Sequence, residues 1–170
     1  MEVTGHRARP GKVDGEVSVS HRIHSVNDVA ALVGQHLGYS DYTTLTQGMI
    51  DGFAEVTGDH QWIHVDPVRA ADGPFGTTIA HGYLTLSLIP ALLNQVLVVD
   101  LPGARINYGL NRVRFVSPVP SGSEVRLGAT VTGVEAVGEA WQITLDVSLE
   151  QRGAAKPACV AQILYRWHPQ

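Results

Sequence analysis

One apolar stretch constrains this chain more than any other feature. Tyr83 to Val99 is apolar on nearly every side of a helix, which implies burial all round. It contains Thr85, Ser87, Pro90, Asn94 and Gln95, so it suits a core helix better than a membrane span. The helix is expected to start near Gly82 and to kink at Pro90, where one backbone bond is missing. From Ala104 onward the apolar period changes to two. Ile106, Tyr108 and Leu110 share one parity, whereas Val113 and Phe115 have the other, so a β-bulge is expected near Asn111. Val125, Leu127, Ala129 and Val131 point inward on the next strand. On the strand after it Trp141, Ile143, Leu145, Val147 and Leu149 do so, and a last strand runs from Ala158 to Trp167. One buried helix followed by four long strands predicts an α+β domain whose mostly antiparallel sheet wraps around the helix.

The remaining chain completes this plan. Met1 to Ser20 is polar and is expected to be an extension, with a single domain over residues 21–170. Ser25 is placed to cap a short helix that ends near Gly34. Tyr42, Thr44 and Thr46 alternate as on a strand. Thr46 can then cap a helix carrying Met49, Ile50, Phe53, Ala54 and Val56, and Gly58 stands where a left-handed terminator belongs. Asp59 to Ile79 reads as a long irregular loop, and long ordered loops tend to be functional. The formal net charge of −4 argues against a nucleic-acid binder. The lone Cys159 cannot form an internal disulfide and reads as a small buried hydrophobe. No apolar core of signal-peptide length opens the sequence, so a cytoplasmic location is expected.

The segment TGDHQWIHVDPVRAADGPFGTTIAHGYLTLSLIP carries the chemistry. Asp59 is followed five positions on by His64, then by Asp66 and Pro67, and His81-Gly82 opens the apolar helix. Together with INYGLNRVRFVSPVPSGSEV, this resembles the MaoC-like hydratases over roughly Ser25 to Tyr165. The resemblance implies a hot-dog fold and R-specific hydration of trans-2-enoyl-CoA. It implies Asp59 and His64 as the acid–base pair and the Gly82 N–H as donor to the thioester oxygen. It also implies a homodimer. Chemistry agrees: the reaction needs a base for water, an acid for the neighbouring carbon and a donor for the developing oxyanion. Gln61 and Trp62 replace the Asn-Pro often found in the family, and Pro90 stands where some members carry a serine.

His81 and Asn111 are further candidates for contact with substrate, although His81 also fits a role in holding the loop. Arg112 and Arg114 share a face and fit either a solvated strand edge or capture of coenzyme A phosphates. His60, His64 and His81 with Asp59 and Asp66 invite a metal reading. The acyl chemistry needs none and no paired helical spacing appears, so neither metal nor cofactor is expected. Rival readings are a hot-dog acyl-CoA thioesterase and a non-catalytic acyl-CoA-binding subunit of a dehydratase.

Overall fold

The computed structural model describes residues 20–170; the proposed extension, except Ser20, lies outside the described residues. The elements run β1 (His21–Ile23), α1 (Val26–Ala31), β2 (His36–Tyr39), β3 (Thr43–Thr44), α2 (Gln47–Thr57), α3 (Trp62–Val65) and α4 (Pro67–Ala71). They continue with α5 (Gly82–Ser87), α6 (Ile89–Val96), β4 (Leu97–Val99), β5 (Ala104–Phe115), β6 (Glu124–Val137), β7 (Ala140–Gln151) and β8 (Cys159–His168). The main sheet has the order β2-β6-β7-β8-β5, with β3 also paired to β6, and all its pairings are antiparallel. It curls around α5 and α6, the α+β arrangement that the alternation and the apolar helix imply.

The inward positions of β6 and β7 build the core. Val125, Leu127, Ala129 and Val131 are buried, as are Ile143, Leu145, Val147 and Leu149. They meet Leu84, Ile89, Leu92, Leu93 and Val96 from the helices in one cluster. Burying large aliphatic side chains is worth about 1.5–3 kcal/mol each, so this layer holds the sheet on the helix. Ser25 caps α1 through a full capping box with Asp28. Thr46 caps α2, and Gly58 ends it at φ 77°.

Three features depart from the sequence reading. The apolar stretch does break as Pro90 implies, at Leu88 between α5 and α6, because Pro90 has no N–H to continue the ladder and sits near the start of the second helix. Its last three residues leave the helix as β4, parallel to β1. The stretch is not buried all round, since Tyr83 is 69% exposed. The loop after Asp59 holds α3 and α4, and Asp66 caps α4 by accepting from the Arg69 N–H, with Pro67 at the first helical position.

Strand β5 carries the expected irregularity between Leu110 and Arg112, where Asn111 has no direct partner. A second shift lies between Asn107 and Gly109. It reverses parity at Tyr108, so Arg105, Asn107 and Leu110 line cavities beside the helix. Tyr108 instead lies under the Arg166 guanidinium, 3.9 Å away. Cys159 is buried as expected, and burial pushes its thiol up to about 11.

Candidate active site

The site forms where the turn after α2 meets the start of α5. Gly58 reverses the chain into the left-handed region, which few side chains tolerate, and thereby aims Asp59 back across the loop. The Asp59 carbonyl accepts a hydrogen bond from His81 Nε2 at 2.9 Å. His64 comes from α3, and its Nδ1 donates to the Ile79 carbonyl at 2.7 Å. A carbonyl only accepts, so Nδ1 carries the proton and Nε2 holds the lone pair of the neutral ring. His64 is 7% exposed and Asp59 is exposed. One partner of the pair is therefore fixed in the wall and the other faces solvent.

His81 packs behind His64. The two rings stack with centroids 3.8 Å apart and planes at 26°, and Phe53 closes on His81 at 5.0 Å. His81 is 2% exposed, so it holds the loop and does not line the cavity. Its Nδ1 is buried without a partner among the described residues. A carboxylate oxygen of Asp59 and one ring nitrogen each of His64 and His81 lie within 4.8 Å of one another. A shared ion would need both imidazole planes to converge on one point about 2 Å from each nitrogen. Rings stacked nearly parallel do not converge there, so this arrangement fits a metal poorly.

Sequence reasoning overlooked Gln47, at the first position of α2. Its amide donates to the His64 carbonyl and to the Asp51 carboxylate, each at 2.8 Å, and its oxygen accepts from the Thr78 hydroxyl. It thus ties α2, α3 and the segment before His81 together. A polar residue after an N-cap is too common to signal this role. On the other side, Ile79 N–H bonds to the Ile63 carbonyl and Ala80 N–H to Val119. The backbone that receives His64 is pinned from both directions.

Gly82 opens α5, so its N–H precedes the intrahelical ladder. The phenyl ring of Phe115 lies 2.7–2.9 Å from where a Cβ on Gly82 would stand. Any side chain here would collide, and the ring and the bare Cα together shape a narrow wall. His64, Gly82, Thr85, Phe115, Val119 and Ala158 are among the residues around a cavity of about 220 Å³. The Thr85 hydroxyl is committed to the Gly82 carbonyl, to which it donates at 2.6 Å.

The structure brings Asp59, His64, His81 and Gly82 together, and it separates the other three candidates from them. Asn111 donates to Gln162 at 2.7 Å. Arg112 and Arg114 line an open groove with His36, Thr130, Asp146 and Ser148, on the face of the sheet turned away from the helix. The two bulges in β5 set this parity. Within the chain, Arg112 and Arg114 thus lie on the opposite face of the sheet from His64 and Gly82, and Asn111 is paired with Gln162.

Comparison with known proteins gives the family and the fold. Residues 28–152 match the MaoC like domain. The 3-hydroxyacyl-thioester dehydratase Z of Mycobacterium tuberculosis is 54% identical over 144 residues, covering 84% of this chain and 95% of that protein. Among solved structures, an (R)-hydratase from A. caviae involved in PHA biosynthesis superposes with a TM-score of 0.65 at 26% identity, over 81% of this chain and 96% of that one. A monoamine oxidase regulatory protein from Archaeoglobus has the same fold, with a TM-score of 0.74 at 21% identity, over 89% of this chain and 98% of that one.

Proposed function

Since this chain belongs to the family of MaoC-like dehydratase domains, we propose that it is a hydro-lyase that adds water to trans-2-enoyl-CoA and yields R-3-hydroxyacyl-CoA. The observation that carries this reading is the state of His64. Its Nδ1–H is committed to Ile79, which leaves Nε2 as the acceptor of a ring that has a nitrogen within 4.8 Å of the Asp59 carboxylate and lines one cavity with Gly82. A water held between Nε2 and Asp59 loses one proton to the pair as its oxygen attacks C3. The electrons move to the thioester oxygen, which accepts from the Gly82 N–H. The pair then returns one proton to C2, so water adds in full and the resting state is restored. Asp59 and His64 lie on one side and Gly82 anchors the thioester, so only one face of the alkene meets the water. The reaction needs no cofactor, because coenzyme A enters as part of the substrate.

The assay is direct. Crotonyl-CoA should lose its enoyl absorbance without releasing free thiol; thiol release would mark a thioesterase and overturn the reading. A coupled S-specific 3-hydroxyacyl-CoA dehydrogenase should stay silent, because the product is the R isomer.

The same reading includes a homodimer. Strand β5 ends the sheet and is exposed along most of its length, with Ile106, Tyr108 and Leu110 between 45% and 55% exposed. An open edge of this length is a template for pairing with a second β5. Light scattering should give the mass of two chains at micromolar concentration. Among the described residues no helix is long and apolar enough to cross a membrane. A cytoplasmic site of action fits the lone cysteine.

A further inference from the structure

Three cavities lie in series along the flank of the central helix that faces β5 and β8. The first, of about 220 Å³, lies at Gly82, Thr85 and Phe115. The second, of about 200 Å³, lies at Leu86, Pro90, Leu110 and Ile163. The third, of about 210 Å³, lies at Pro90, Leu93, Leu97, Leu145 and Trp167. Helix numbering rises through the series while β5 numbering falls, as an antiparallel seam requires. Pro90, Asn107 and Tyr165 border both the second and the third cavity, so these two share walls. From Gly82 to Asn94, through α5 and α6, the chain advances at most roughly 18 Å at 1.5 Å per helical residue, the reach of a long extended alkyl chain.

The far end of this apolar seam is polar. Asn94, Arg105, Asn107 and Tyr165 border the third cavity. Among the described residues, Arg105 has no carboxylate partner; its guanidinium makes only a long contact of 3.4 Å with the Asn94 oxygen. Burial raises the Tyr165 phenol while the charge of Arg105 opposes that rise, which agrees with the guanidinium lying close to Tyr165. An exposed arginine at the end of this row of cavities is matched by a chain that is apolar for most of its length and anionic at its tip. A carboxylate there keeps contact with water and meets the arginine fork at once, whereas a methyl end leaves Arg105 and both asparagines unanswered.

We infer that the preferred substrates are long-chain enoyl thioesters whose tail ends in a carboxylate, received by Arg105 at the end of the seam. The inference rests on the hydratase reading above and names its substrate class. The test compares trans-2-tetradecenoyl-CoA with its ω-carboxylate counterpart, with crotonyl-CoA as reference. The wild-type protein should favour the ω-carboxylate chain about tenfold in kcat/KM, mostly through KM, as a charge-assisted bond to one end of a bound substrate gives. Arg105→Gln should bring that ratio close to one. A wild-type ratio of one or less, or a preference that survives in the variant, overturns the inference while crotonyl-CoA hydration leaves the hydratase reading standing. Absence of hydration with all three substrates overturns both. The wild-type ratio decides the matter even if Arg105→Gln fails to fold.

Discussion

The two flanks of the central helix are built on opposite principles. On the Asp59 flank the Asp59, His64 and Ile79 carbonyls each receive a side-chain hydrogen bond, and Gln47 stitches three segments together. On the β5 flank the neighbouring strand is exposed, shifts register twice and leaves three cavities. Chemistry requires reacting atoms held to fractions of an ångström, which a frame of hydrogen bonds between distant segments provides. A tail of variable length requires free volume and tolerant walls. The lesson is that Gly82 is the hinge between the two tasks, since it belongs to the bonded frame and to the first cavity.

That contrast makes graded predictions. Asp59→Asn and His64→Ala should each lower kcat for crotonyl-CoA by about 100- to 10,000-fold with the fold retained by circular dichroism. A folded variant with near wild-type turnover would remove that residue from the frame. Gly82→Ala should follow, with a loss of about 100-fold, because the new methyl meets the Phe115 ring and moves the oxyanion donor. Pairing it with Phe115→Leu should recover part of the loss; no recovery would show that the collision is not the cause. His81→Ala should cost about 1–3 kcal/mol of stability in urea unfolding, through the unanswered Asp59 carbonyl. Its kcat should fall by about tenfold with KM nearly constant, because the fault lies in positioning. The smallest effect belongs to the other flank. Pro90→Ala should change relative kcat/KM between short and long tails by less than about tenfold, the range a small change in an apolar pocket supports. An equal change for crotonyl-CoA and long chains would erase the distinction between the flanks.

How far these flanks can be read from residues alone follows from the length of each signal. The inward faces of β6 and β7 are plain in the sequence because strict alternation lasts over many residues. The caps at Ser25, Thr46 and Gly58 are plain because each uses a side chain or a φ that few other residues supply. The closeness of Asp59, His64 and His81 is legible through their motif. Helices α3 and α4, of four and five residues, are too short to show a period, so their span reads as loop. The far end of the seam was hidden by the shift at Tyr108: unbroken alternation makes Ile106 and Tyr108 the inward residues, while the structure turns Arg105 and Asn107 to the cavity. A bulge depends on how two strands meet, and a single strand's sequence records only its parity. Gln47 escaped because its three partners come from segments distant in the chain.

The only thiol in the chain lies at the start of β8, opposite Phe115 on one neighbour and Leu149 on the other, and is 1% exposed. An alkylating reagent can reach Cys159 only when β8 parts from those strands. The labelling rate is therefore a clock for opening of the sheet beside Gly82, read without any engineered probe. The same sulfur makes that opening sensitive to alkali. Its proton is held to about 11 in the native state against an ordinary 9.0 when the chain is open. As the pH climbs through that interval the open chain ionises first, so native stability falls and the clock runs faster. At neutral pH the thiol stays protonated and shielded, which leaves the wall behind Phe115 inert to mild oxidants.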